Sequence, residues 1–308
     1  MKRLFWAVAI GFAAFQPAYA DDALGWVKQT LTSEQDSGNV CGRRQGAISS
    51  TLSRLQGLSM PTTGKVLIVN IPSGSITAYY DGVSVIESRV VVGGKSEATH
   101  TPEMDTHVTF VRPNPTWTVP ESILRRKKWR ERLARDPQYF ERNGFDVVVN
   151  GRTVSPLEVT DPSSVSFFVQ RPFKDNALGQ VKIGINNSQS IYLHDTNEKS
   201  LFDEEVRLAS SGCVRVEKVR EIAAWILGKD TADIDAMIEE GDVDNHPPIE
   251  PVKIIIGYWT AWPDPDGKIQ YYPDVYGKDT VGDPCRGDQS DSVSKAQSDP
   301  DWTESEAR

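Results

Sequence analysis

The sequence predicts a mostly β domain interrupted by a helical insertion at about residues 112–175, and three observations predict it. Short blocks of apolar β-formers separated by turn residues fill residues 65–92. That rhythm breaks at Pro113, Pro115 and Pro120, ahead of a basic stretch with helical character. Strand-like blocks then return at residues 181–185 and 190–194. At 308 residues the chain is long enough for a sizeable core, and 38% hydrophobic with 25% charged residues is an ordinary globular composition. Its 34 Lys and Arg against 43 Asp and Glu give a net charge of −9 with no long basic run to offset it, which argues against nucleic acid as the main partner.

Taken in order, residues 1–20 read as a secretory signal rather than as fold. Lys2 and Arg3 precede an apolar stretch over residues 4–15, and Ala18-Tyr19-Ala20 is a small-x-small cleavage pattern. The alternative is an amphipathic N-terminal helix. The apolar run is shorter than the roughly 20 residues that a bilayer span requires. Cleavage would remove the two charges of Lys2 and Arg3 and take −9 to −11. No later segment is apolar enough to anchor the chain, so a soluble, exported protein is expected. Residues 21–63 are expected to form an arm that docks through a weak helical stripe of Ile48, Leu52, Leu55 and Leu58.

Residues 66–71, 75–80 and 83–92 read as strands, with Asp81-Gly82 as the hairpin turn between the last two and Gly93-Gly94 closing the third. Residues 121–134 carry Arg125, Arg126, Lys127, Lys128, Arg130 and Arg132 around Trp129. A solvated helix face is the favoured reading, with a binding patch as its rival. Val219, Ile222, Ala223, Ile226 and Leu227 keep helical spacing up to Gly228, and Ile234, Met237 and Ile238 mark a second helix ended by Gly241. A closing hairpin is expected from residues 253–262 and 268–272 around Pro265-Asp266-Gly267, and disorder in the Ser, Asp and Glu-rich tail beyond Asp288.

The chemistry concentrates in Ile191-Tyr192-Leu193-His194-Asp195-Thr196 and Ser210-Ser211-Gly212-Cys213-Val214-Arg215. His194 ends a strand, where a side chain can leave the sheet for a cleft. Cys213 follows a glycine whose freedom permits a tight turn presenting the thiol beside backbone N–H groups. Thiolate is the attacking species and imidazole can take its proton, so Cys plus His is a minimal nucleophile and base. The Gly212 and Cys213 amides are natural oxyanion donors. On spacing alone, however, a buried thiol and a packed histidine are favoured.

These residues closely resemble a family signature. His194, Ser210 to Ser211, Gly212, Cys213 and Arg215 match the His-x(14 to 18)-Ser/Thr-x-Gly-Cys-x-Arg/Asn pattern of L,D-transpeptidases with a YkuD-like catalytic domain, enzymes of bacterial peptidoglycan. Asn70-Ile71-Pro72 resembles the domain's opening strands. Asn114 to Pro120, Arg142 to Phe145, Asn176 to Lys182, and Thr260-Ala261-Trp262 through Gly277 resemble the lid-bearing subgroup. Coverage is about residues 64–280.

The resemblance implies a mixed, barrel-like β core with an inserted α-helical lid over residues 112–175, followed by a tail at 281–308. It implies Cys213 as nucleophile, His194 as general base and acid, and Gly212 with Cys213 as oxyanion donors. Asp195 would orient the histidine, often through a backbone carbonyl, and Ser211 stands where many members carry His. Arg215 fills the last motif position, Tyr192, Trp117 and Asn176 would line the substrate cleft, and Glu217 is left as an unexplained start to the next helix. No separate wall-binding domain is found in residues 21–63.

The implied reaction is attack by Cys213 on the carbonyl of diaminopimelate in a tetrapeptide stem, release of D-alanine, and resolution of the thioester by a neighbouring stem's amine. Water as acceptor would make an L,D-carboxypeptidase, and an amine on an outer-membrane protein would make a wall-anchoring enzyme. A catalytically lapsed wall-binding protein is the distant alternative. Carbapenems are implied as covalent inhibitors and the periplasm as location. No cofactor is implied, and His100, His107 and His246 stand apart, without the company a metal site needs. With Cys213 kept reduced for catalysis, Cys41 and Cys285 remain to pair.

Overall fold

The computed structural model describes residues 23–173, 175–283 and 285. Residues 1–22, which hold the expected secretory signal, and residues 286–308 of the expected tail lie outside the described residues. The arm begins with two helices, α1 (Ala23–Asp36) and α2 (Gly42–Leu55). Only the second was anticipated. Leu24, Val27 and Leu31 of α1 pack with Ala47, Ile48 and Leu55 of α2 against Val66 and Ile68, one continuous core on the outside of the sheet.

Four strands follow: β1 (Lys65–Asn70), β2 (Ser75–Tyr80), β3 (Val83–Val91) and β4 (Met104–Pro113). Asp81 and Gly82 take φ of 49° and 76°, the pair of positive values a two-residue hairpin of this hand requires. The insertion then contains β5 (Trp117–Thr118), α3 (Glu121–Arg126), α4 (Trp129–Arg135), α5 (Pro137–Arg142), β6 (Phe145–Val149), β7 (Arg152–Val154) and β8 (Val165–Gln170). Its helices were expected; its four-stranded antiparallel sheet, in the order β5-β8-β6-β7, was not. The expected single helix over 121–134 is broken at Lys128, whose φ is 49°.

The chain returns to the main sheet with β9 (Val181–Ile185), β10 (Tyr192–His194) and β11 (Val214–Val216). After α6 (Val219–Leu227) and α7 (Thr231–Glu239) come β12 (Val252–Gly257), β13 (Ala261–Pro263) and β14 (Ile269–Tyr271). Eight strands close a barrel in the order β1-β12-β4-β9-β10-β11-β3-β2. The pairs β1/β12 and β10/β11 are parallel and the others antiparallel, so the sheet is mixed, as the sequence suggested. Leu67, Val69, Ile183, Leu193, Val214 and Ile254 face one core together with Ile222, Ala223 and Ile226 of α6.

The closing hairpin needs correction. β12 belongs to the barrel between β1 and β4, and only β13 and β14 form the hairpin. The bend between β12 and β13 is tied to the end of β1: Asn70 donates from Nδ2 to the Trp259 carbonyl at 3.0 Å and accepts the Trp259 N–H at 3.1 Å. Glu217 also finds its reason. It accepts from Arg89 Nε at 2.9 Å and pairs with the rest of that guanidinium, joining β3 to the segment before α6 rather than capping the helix.

Candidate active site

Strand alternation builds the site. Val181, Ile183, Leu193, Val214 and Val216 point into the core. Their neighbours Lys182, Gly184, Tyr192, His194 and Arg215 therefore share the opposite face of β9, β10 and β11. The register sets His194 beside Lys182 on one flank and Arg215 on the other. Tyr192 pairs with Gly184, and continuing the β10/β11 register one step places Cys213 on its other side.

The turn before β11 is locked by Ser210. Its hydroxyl donates to the Cys213 carbonyl at 2.5 Å and accepts the Gly212 N–H at 3.1 Å, while its backbone bonds Val92 and Gly94. Gly212 has φ of +115°, a value that side-chain-bearing residues rarely adopt, and a Cβ there would meet Ile191 Cδ1 at 3.3 Å. The sequence therefore needs glycine here. The Gly212 amide, expected as an oxyanion donor, is engaged by Ser210 in this structure, and no hydrogen bond engages the Cys213 amide among the described residues. The neighbouring loop folds around Asn187, which accepts the Gln189 and Ile191 amides, and brings the Ser190 carbonyl to 3.8 Å from Cys213 Sγ.

Burial pushes the Cys213 thiol above its ordinary value, opposed by the Tyr192 amide and hydroxyl and by the charges of Lys182 and Arg215. Burial drives His194 down to about 3, helped by Arg215 and Lys182 and resisted by the Asp195 backbone. At neutral pH its imidazole is uncharged. Among the described residues, Nδ1 of His194 is buried without a hydrogen-bond partner.

The other expected site residues divide sharply. Asp195 turns its carboxylate away from His194, pairing with Lys199 and accepting the Gln180 and Thr196 amides at 3.0 and 2.8 Å. Any orienting role would have to use its backbone. Arg215 donates to Glu198 Oε2 at 2.5 Å. Asn176 is fully buried, donating to the Pro115 and Arg171 carbonyls and accepting the Leu178 amide. It fastens the two ends of the insertion together, and its side-chain hydrogen bonds all go to the backbone rather than to the cleft where it was expected. Trp117 comes from the insertion and interacts with the Tyr192 hydroxyl. Ser211 accepts from Arg126 Nη2 at 2.9 Å, a second link from the insertion to the catalytic turn.

That arginine is the member of the basic stretch directed at the site. Arg130 donates to Glu121, and Arg132 lies over Tyr139. Lys182 was missed in the sequence, although alternation of Val181, Ile183 and Ile185 already turned it to the face of His194. Cys41 and Cys285 are bonded, with Cα atoms 5.1 Å apart.

A family model described as the L,D-transpeptidase catalytic domain matches residues 64–254. A Haemophilus influenzae protein named "Putative L,D-transpeptidase" is 33% identical over 220 residues, 69% of this chain and 44% of that protein, so the chain spans less than half of its relative's length. The structure of an L,D-transpeptidase from Mycobacterium smegmatis aligns over 63% of this chain and 58% of its own, with 13% identity and a TM-score of 0.31. An L,D-transpeptidase in complex with imipenem aligns over 65% and 63%, with 13% identity and a TM-score of 0.30.

Proposed function

The chain belongs to the L,D-transpeptidase catalytic-domain family, and from that premise we propose that it links diaminopimelate residues of neighbouring peptidoglycan stems through a thioester on Cys213. The observation that carries this reading is the common face shared by a neutral, buried His194 on β10 and Cys213 at the entry to the adjacent parallel β11. An uncharged imidazole is in the state that accepts a proton. The resting pair is thiol and imidazole, so proton removal accompanies attack.

In the first half-reaction the Cys213 proton passes to His194 as Sγ bonds the carbonyl carbon of the third stem residue. The oxyanion faces the Cys213 N–H, the donor left once Gly212 is engaged by Ser210. The intermediate collapses by breaking the C–N bond to the terminal D-alanine, whose nitrogen leaves with the proton from His194. An imidazolium disfavoured by burial and two flanking cations gives up that proton readily. In the second half-reaction an acceptor amine loses a proton to His194 and bonds the thioester carbon. The C–S bond breaks, and sulfur recovers the proton.

The insertion, fastened across the site by Trp117 with Tyr192 and Arg126 with Ser211, is the part that would shape acceptor choice and exclude water. The apolar leader supports export to the periplasm.

Incubating purified protein with disaccharide-tetrapeptide and reading products by mass spectrometry tests the proposal. A cross-linked dimer with free D-alanine is expected. Disaccharide-tripeptide plus D-alanine would make water the acceptor and the protein a carboxypeptidase. Unchanged substrate would contradict the enzymatic reading.

A further inference from the structure

Three strands present a row of cation, imidazole and cation: Lys182 on β9, His194 on β10 and Arg215 on β11. The two cations are not equivalent. Arg215 is matched by Glu198 at 2.5 Å. The Lys182 ammonium makes no hydrogen bond or ion pair with any described residue, and it lies 3.9 Å from the centroid of the Tyr192 ring. A half-buried ammonium without an anion is unfavourable, and in a chain of net charge −9 a carboxylate partner was readily available. The side chain is instead held over the aromatic ring that separates it from Cys213.

Each group packed around the sulfur has a defined charge. Tyr192 offers its amide and hydroxyl to the thiol, while His194 is neutral. Arg126 reaches the turn only through Ser211. Arg112 on β4, across from Lys182, donates to Asn245 at 2.8 Å. Asp195 faces Lys199, and Glu198 faces Arg215. Among these groups Lys182 is thus the cation whose head meets neither a carboxylate nor a polar acceptor of the described residues, only the Tyr192 ring.

We propose that Lys182 is a positioning residue for charge: its ammonium, seated on the Tyr192 ring, is the counter-charge that stabilises the Cys213 thiolate as it forms. This deepens the transpeptidase reading by naming a counter-charge that is in place before the proton moves, while the imidazole is still neutral. The proton leaves for His194, and the negative charge left on sulfur is met across Tyr192 by Lys182. An opposite charge within about 4–6 Å shifts an ionisation by about one to three units, and across the intervening ring the expected effect is about one unit.

The test is the pH dependence of Cys213 alkylation by iodoacetamide, followed by intact mass on the full chain without reductant, so that the Cys41–Cys285 bond stays closed. In Lys182→Met the alkylation midpoint is expected to rise by about one unit or more, and Lys182→Arg is expected to restore it. Lys182→Gln gives the same readout should the apolar variant fold poorly, with circular dichroism as the fold control.

An unchanged midpoint in the folded neutral variants would overturn the proposal. So would an unchanged midpoint accompanied by a raised KM for disaccharide-tetrapeptide, which would make Lys182 a carboxylate-binding residue. The alkylation readout uses no stem peptide, so it separates failure of this inference from failure of the transpeptidase reading.

Discussion

The barrel wall that carries Cys213 and the insertion that faces it are attached to the molecule in opposite ways. The wall is continuous with its neighbours: β10 bonds β9 and β11, and β11 bonds β3, while the inward side chains share one core with α6. The insertion closes on itself. Trp129 sits 5.1 to 5.4 Å from the rings of Phe140, Phe145 and Phe168, and Val119, Leu124, Leu133 and Val147 complete a separate core. Named side-chain ties between the two regions are the Asn176 clamp, Asn114 bonding the carbonyls of Ile238 and Asp242, the Trp117 and Tyr192 contact, and the Arg126 and Ser211 bond. The candidate catalytic pair thus stands on a continuous sheet, and the insertion that faces it folds around its own aromatic centre.

Changing the wall at its reactive face should give the largest effect. His194→Gln is expected to slow acylation by about 10²–10⁴-fold with the fold intact, read as the rate of intact-mass change under a carbapenem. A rate equal to wild type would remove His194 from the proton path.

Changing the insertion should leave the wall standing. Trp129→Ala is expected to cost about 3–5 kcal/mol within the insertion core. Hydrogen exchange should rise across residues 113–175 while β9, β10 and β11 stay protected. Equal loss of protection in both regions would show that they unfold as one unit and break the comparison.

An acid titration sharpens the same contrast. The folded value of His194, about 3, lies below its ordinary 6.5. In that window the unfolded chain binds a proton that the folded one does not, so this residue's contribution to stability falls as pH drops through it. Urea midpoints measured across the window should decline with falling pH, less steeply in His194→Gln. Identical slopes would contradict the burial of that imidazole. The smallest effect is expected from Arg126→Ala, which removes one neutral acceptor's charged donor worth about 1.5–3 kcal/mol at most and less at a solvent-exposed site. Iodoacetamide should then reach Cys213 faster, and an unchanged rate would show that this bond does not restrain access.

Much of the wall was legible because its residues repeat a simple rule. β1 is an uninterrupted block of strand formers, Asp81-Gly82 specifies its turn by backbone conformation, and the turn around Gly212 announces itself through residue type. β4 escaped because a register shift between Val108 and Phe110 spoils its alternation. The insertion sheet escaped because β6 and β8 pair across a long stretch of chain, a contact no local pattern encodes. α1 carries a thin stripe, Leu24, Val27 and Leu31, that becomes convincing only against α2 and β1.

The site divides along the same line. Residue chemistry pointed to Cys213 and His194. The direction of Asp195 and the burial of Asn176 depend on hydrogen bonds between segments, and the engagement of the Gly212 amide depends on the conformation of one tight turn, so all three needed coordinates. Lys182 sat in plain view, yet a lone lysine in a strand signals nothing until the register sets it beside His194.

The account rests on sulfur chemistry at one position of the wall, and intact mass after exposure to a carbapenem tests it most directly. Wild-type protein is expected to gain the mass of one drug molecule and Cys213→Ala to gain none. An undiminished mass gain on Cys213→Ala would place the nucleophile elsewhere and contradict the assignment.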